Sequence, residues 1–302
     1  LKLIKNMKKY NFILLTIFIL ACSSSNGTES NAEVTKTPDP KPEETANNIK
    51  DPDSIDYWDN AELVWSDEFD GVSLSTENWI LETGGNGWGN NELQNYQAEG
   101  NTEVSDGTLK ITAKRNTDNT IEGAFTSARL NSKQSFKFGR MEIRAKLPEH
   151  KGNGTWPALW MLGSNIQNVG WPACGEIDMM EYVSFKPNKT HFSIHSAANN
   201  HTNGTEITSG AVDLESIEEE FHNFGILWSS KYIKFYVDDI ENVQFMFRRP
   251  TSSTVENWPF SDNFYFLMNI AVGGNWGGLE GVDMSIFPAT MEVDYIRVYQ
   301  VN

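Results

Sequence analysis

Residues 175–181 read Gly-Glu-Ile-Asp-Met-Met-Glu, an apolar stretch with carboxylic acids at 176, 178 and 181. Side chains alternate faces along a β-strand, so Glu176 and Asp178 share a face while Glu181, five residues after Glu176, falls on the opposite one. A β-bulge that adds one residue, Met179 or Met180, restores the parity and brings all three acids to one face. Three acids on one face repel one another, and repulsion of this kind keeps one carboxyl protonated near neutral pH, where it can act as a general acid. Ile177, Met179, Met180, Tyr182 and Val183 surround the acids with apolar side chains, a setting unlike a solvated edge strand. The stretch therefore predicts a bulged strand, buried on one face and acidic on the other.

The flanking sequence reads as strands almost throughout. Thr108–Lys114 alternates with Leu109, Ile111 and Ala113 inward; residues 140–146 repeat the pattern with Met141, Ile143 and Ala145; residues 231–239 place Ile233, Phe235 and Val237 on one face. Residues 263–272 and 291–301 are longer and apolar or aromatic at most positions, which predicts strands covered on both sides. Helical periodicity is weak except over 214–221. Many strands separated by turn signals predict an all-β sandwich of two antiparallel curved sheets, with the free concave face of one sheet forming a groove.

Composition bounds what such a groove can hold. The 302 residues are 39% apolar, enough for one large all-β domain. With 41 acidic against 24 basic residues the formal charge is -17, which argues against nucleic acid and leaves a neutral ligand open. Ten Trp, seventeen Phe and nine Tyr are a heavy aromatic load, most of it expected in the core and some in the site.

The N-terminus reads as an export signal: Lys8 and Lys9, an apolar run from Phe12 to Leu20, then Ala21-Cys22. The run is shorter than the ~20 residues that span a bilayer. It resembles a bacterial lipoprotein signal over 1–22, with Cys22 lipidated after cleavage and the protein held on the outer membrane. Residues 23–55 are polar, spotted with proline and free of aromatic residues, the composition of a disordered tether with an r.m.s. reach of roughly 30 Å. Cys174 alone then remains in the mature chain, so no internal disulfide is expected. Residues 56–302 are taken as one domain, expected to act as a monomer.

Other parts of a sugar groove are recognisable by position. Trp156 and Trp160 lie four apart, hence on one face of a strand, and flat apolar rings suit the C–H faces of pyranoses. Trp88, Asn90, Asn91 and Glu92, and Trp276 further on, sit in glycine-rich loops where polar side chains can meet a ligand. His195 follows His191 by four; on a strand that spacing is about 13 Å, too far for both to bind one zinc ion, and it points to a hydrogen-bonding role for His195.

These segments together resemble glycoside hydrolase family 16, in its laminarinase-like branch of endo-β-1,3-glucanases. That branch shows Glu-x-Asp-x-x-Glu with a bulge, matched here at each acid. The resemblance extends over most of 63–300 and includes WGNNELQNY, SARL, GRMEIRAKLP, GTWPALWMLG, WPACGEIDMMEYV, NIAVGGNWGG and VDYIRVYQ. It implies a β-jelly-roll sandwich and retaining hydrolysis of laminarin or mixed-linkage β-1,3-1,4-glucan, without a catalytic cofactor. By this resemblance Glu176 is the nucleophile, Glu181 the acid/base and Asp178 the residue that tunes the nucleophile. Asn90, Arg129, Trp156, Trp160 and His195 correspond to sugar-contacting positions, as Trp276 does by its loop. Many members hold a structural calcium away from the groove, which here maps to Glu68, the Gly107 carbonyl and Asp294; hard oxygen donors suit that ion.

The chain departs from the branch pattern at Ser184–Pro187 and at Phe192-Ser193, both bordering the groove. Two other functions fit the same sandwich: hydrolysis of an algal galactan, and binding of β-glucan without cleavage. The net charge disfavours a sulfated substrate, and the intact set of acids disfavours a binding protein.

Overall fold

Alternation places the core as the sequence predicts. Leu109, Ile111 and Ala113 in the strand Thr108–Arg115, and Met141, Ile143 and Ala145 in Gly139–Lys146, are wholly buried. Ile233, Phe235 and Val237 in Tyr232–Val237 face the same core. The computed structural model describes residues 51–301 except 55, 119, 121 and 122. The expected export signal, Cys22 and nearly all of the expected tether lie outside the described residues. Among the described residues no helix is long and apolar enough to cross a membrane.

Two sheets form the body. In the ten-stranded back sheet the order is Val243–Arg248, Tyr232–Val237, His222–Trp228, Gly139–Lys146, Ala289–Gln300, Thr108–Arg115, Phe125–Ser127 and Gln94–Tyr96; Glu62–Asp67 also pairs with Ala289–Gln300, and Thr102–Ser105 with Thr108–Arg115. The eight-stranded groove sheet runs Ile207–Thr208, Lys189–His195, Glu176–Glu181, Thr155–Gly163, Phe264–Val272, Arg129–Phe136 and Trp79–Glu82, with Val212–Asp213 paired to Lys189–His195. Pairing is antiparallel except between Gln94–Tyr96 and Phe125–Ser127. The sheets meet over one cluster in which Ile143, Ile226, Phe235 and Val298 of the back sheet face Met161, Ile177, Phe192 and Phe266 of the groove sheet. Each such side chain contributes about 1.5–3 kcal/mol by leaving water, which makes this cluster the main force holding the sheets together.

Three expectations are corrected. Residues 214–221 form turns, not a helix: Ile217 enters the core with Leu214 packed against it, while Glu218 accepts from Tyr182 Oη and the Asn188 N–H. The strand Ala289–Gln300 is covered on one side only; Thr290, Glu292, Asp294 and Arg297 lie half-exposed on its outer face. Phe264–Val272, by contrast, is buried at all positions but Tyr265. The folded region also starts no later than Asp51, ahead of the boundary read at 56. Asp51 and Asp53 pair with Lys231 at 2.6 and 3.2 Å, and Trp58 Nε1 donates to Tyr232 Oη at 3.1 Å.

Candidate active site

The bulge lies where parity requires it. Against the neighbouring tryptophan strand, Asp178 pairs with Trp160 and Met180 with Leu159, so Met179 is the inserted residue. Against Lys189–His195, Asp178 pairs with Ser193 and Glu181 with His191, again one residue more on the acidic strand. Met179 and Met180 both turn into the core and are fully buried, as is Ile177. Glu176, Asp178 and Glu181 consequently line one groove. Gly175 makes the entry possible: its φ is +82°, and a Cβ there would sit 2.7 Å from Pro259 Cγ and 2.8 Å from Phe264 Cζ.

Neutral donors hold the two glutamates. Trp171 Nε1 donates to Glu176 Oε2 at 3.0 Å and Trp156 Nε1 to Glu181 Oε1 at 3.1 Å. His195 Nε2 stands 3.3 Å from Asp178 Oδ2 and 3.7 Å from Glu176 Oε1. Neither is an aligned hydrogen bond, since Asp178 Oδ2 has no hydrogen-bond partner among the described residues. Burial, then the charge of Asp178, pushes the Glu176 and Glu181 carboxyls up to about 8. Burial also raises Asp178 well above the usual carboxylate range. The groove therefore favours fewer than three negative charges near neutral pH, which allows one glutamic acid to coexist with one glutamate.

Tryptophans and one arginine build the walls. The Arg129 guanidinium stacks between Trp88 and Trp160, 4.8 Å from each ring centre, and its Nε donates to Glu82. Asn90, Arg129, Trp156 and Trp160 all line the groove, as the sequence predicts. His195 and Trp276 do not. His195, directly opposite Glu176, is buried under the acids, and Trp276 packs edge-on against Trp156 and His191 at 5.2 and 4.9 Å. Both pack against groove side chains, His195 beside Glu176 and Asp178 and the half-exposed Trp276 beside Trp156. Sequence reading gave no role to Trp171, Asn269 or His201, which also line the groove. Trp171 lies five residues before Glu176 but reaches it from a turn, where no periodicity marks its direction.

Of the expected calcium donors Glu68, the Gly107 carbonyl and Asp294, the two carboxylates are engaged by arginines. Arg297 grips Glu68 with two hydrogen bonds of 3.0 and 2.7 Å, and Arg144 Nε donates to Asp294 at 2.9 Å. With an arginine on each carboxylate, these side chains do not fit a cation as they stand. A different set, Glu176, Asp178 and His195, has ligand atoms all within 4.8 Å of one another and could hold a metal ion, though these are the groups the acid chemistry uses.

Known proteins are similar to this chain in sequence and fold. The family model described as glycosyl hydrolases family 16 matches residues 89–297. A β-glucanase of Rhodothermus marinus is 44% identical over 259 residues, covering 82% of this chain and 87% of that protein. The crystal structure of a laminarinase from Rhodothermus marinus superposes with a TM-score of 0.74 at 42% identity, covering 80% of this chain and 97% of that one. A laminarinase from Flavobacterium sp. UMI-01 gives 0.72 at 43% identity, over 79% and 100%. At this identity and coverage, with the family model spanning both sheets and the acidic strand, the chain belongs to glycosyl hydrolase family 16.

Proposed function

We propose that this protein is an endo-acting β-1,3-glucanase that hydrolyses laminarin, and mixed-linkage β-1,3-1,4-glucan as a second substrate, with retention at the anomeric carbon. The observation that supports this most is the single insertion at Met179, which puts Glu176, Asp178 and Glu181 on one groove face. Glu176 is the nucleophile: its carboxylate attacks the anomeric carbon as the glycosidic C–O bond breaks, and Glu181 gives its proton to the departing oxygen. Water then enters, Glu181 takes a proton from it, the water oxygen bonds the anomeric carbon, and Glu176 leaves. Burial first, and then repulsion from Asp178 when that carboxyl is ionised, keeps one of the pair protonated. Arg129, Trp88, Trp160 and Trp156 supply the aromatic and cationic walls for neutral sugar rings.

Reducing-sugar release from laminarin, mixed-linkage β-glucan, agarose and carrageenan, run in parallel, tests the substrate. Release from laminarin should be the fastest. Proton NMR before mutarotation tests the mechanism: an initial product of inverted configuration would refute the assignment of Glu176 and Glu181. We further propose that Cys22 carries lipid and holds the protein on the cell envelope; Cys22→Ser should move it from the membrane to the soluble fraction.

A further inference from the structure

Glu92, itself on the groove wall, forms the end of a directional hydrogen-bond chain that runs beneath it. Its Oε1 accepts from Asn90 Nδ2 at 3.2 Å; its Oε2 accepts from Gln94 Nε2 at 2.6 Å and Tyr96 Oη at 3.4 Å. Tyr96 is fully buried, and its oxygen accepts in turn from Asn269 Nδ2 at 3.1 Å. The other end of the Asn269 amide, Oδ1, accepts from Trp160 Nε1 at 2.8 Å. Each donor along this path thus faces toward Glu92, and the path ends at the indole that stacks on Arg129 beside Asp178.

The direction of the chain depends on Glu92 being an acceptor at both oxygens. Gln94 cannot turn round, because its Oε1 takes the Val272 N–H at 2.7 Å and so its NH₂ must face Glu92. Tyr96 can send its proton to Glu92 only if that oxygen accepts. Asn90 gives its NH₂ to Glu92 and is left with its carbonyl oxygen for the groove. The backbone fixes the same loop independently: Asn275 N–H donates to Asn90 O at 2.7 Å and Leu93 N–H to Val272 O at 2.9 Å. The side-chain chain therefore sets how polar atoms are presented, not whether the loop folds.

We propose that Glu92 is a positioning residue that determines sugar affinity in the groove, by holding the Asn90 amide and, through Tyr96 and Asn269, the Trp160 indole in one orientation. The inference rests on the glucanase reading for its substrate. A neutral amide at 92 has one end that donates, so it must meet either Asn90 or the Gln94–Tyr96 pair with a donor facing a donor. Asn90 then turns its NH₂ to the groove, or the Tyr96–Asn269 path reverses and frees the Trp160 N–H. Burial raises the Glu92 carboxyl above its usual range, against the pull of the donors and of Arg129, so acidification produces the same reversal in the unaltered protein.

Steady-state kinetics on laminarin with the wild type, Glu92→Gln, Tyr96→Phe and the double variant test this, with melting curves to confirm folding. Glu92→Gln should raise KM about tenfold with kcat within about threefold, as expected for one reversed buried polar contact. The double variant should be no worse than Glu92→Gln alone, because both cut one path. In the wild type KM should rise on the acid side, and Tyr96→Phe should weaken that rise. Multiplying effects in the double variant, or a fall in kcat at unchanged KM, would overturn the proposal. If Glu92→Gln does not fold, an acid-side KM unaffected by Tyr96→Phe overturns it instead. A wild type inactive on laminarin would sink the glucanase reading alone; calorimetry with a laminari-oligosaccharide then decides, a weakening of about tenfold in Glu92→Gln supporting the role and equal affinity refuting it.

Discussion

Two bulged strands of this molecule treat their acids in opposite ways. In Glu176–Glu181 the extra residue turns inward, so two methionines in succession enter the core and the acids converge on one open face. In Ala289–Gln300 the register shift lies between Val293 and Tyr295, and two residues in succession, Asp294 and Tyr295, turn outward. Three acids on or beside the back sheet find a cation: Asp294 with Arg144, Glu292 with Lys146, and Glu68 with Arg297. Those of the groove find indole N–H groups and a histidine. Among the paired carboxylates, Glu68 has its proton affinity lowered by the hydrogen bonds from Arg297. Unpaired ones are pushed toward protonation by burial and by one another, a state of little use to stability but required for proton transfer.

Removing the groove carboxyls should break this contrast most severely. Glu176→Ala and Glu181→Ala should each lower kcat on β-glucan by roughly 10³-fold or more, while Asp178→Asn weakens it less. Azide separates the two roles, giving an α-glycosyl azide with Glu176→Ala and a β-glycosyl azide with Glu181→Ala, read by NMR.

The bulge itself is the next target. Inserting a residue after Met179 should turn Glu181 away and abolish activity, whereas deleting Met179 leaves Glu176, Asp178 and Glu181 at alternate positions and should keep measurable activity. The deletion removes one buried side chain and should destabilise the fold by about 2–5 kcal/mol in denaturant titrations. Activity in the insertion but none in a folded deletion variant would disprove the parity argument.

Acidity gives a smaller and opposite effect on stability. Glu176 and Glu181 bind protons more tightly folded than unfolded, so their contribution is fully present below an unfolded pKa near 4.5 and is lost as pH rises through about 8. Wild-type Tm should therefore fall over that range, and Glu176→Gln, which cannot take the charge, should melt higher than wild type at pH 8 by a few degrees, corresponding to roughly 1–2 kcal/mol. The kcat/KM profile should fall over the same basic range, as Glu181 loses the proton it must donate.

The weakest effect is expected on the back sheet. Glu68→Gln breaks a half-exposed ion pair and should lower Tm by no more than about 2–4 °C, corresponding to about 1 kcal/mol or less. Its proton affinity is lowered, so this contribution is present above pH 4.5 and disappears on acidification, the reverse of the groove. Melting curves at pH 4 and pH 7 distinguish the two signs.

The strands, their inward faces and the bulge were legible in the sequence, because period-two alternation and its interruption at Met179-Met180 are local properties of the chain. The same periodicity placed Trp156 and Trp160 on the groove and named the three acids. It could not show that residues 214–221 would turn instead of coil into a helix, since Ile217 is held by partners on distant strands. Nor could it separate Trp276 and His195, which pack against groove side chains, from Asn90 and Arg129, which line the groove, because depth is set by the packing of one side chain over another. Trp171 and Glu92 gained their roles through turn and loop conformation, where no periodicity marks side-chain direction: one reaches Glu176 from a turn, and the other accepts from Asn90, Gln94 and Tyr96, all within four residues of it. Sequence by itself determined which residues face the same way; only the tertiary structure decided which of them touch, because hydrogen-bond direction, burial and charge pairing depend on neighbours brought from elsewhere in the chain.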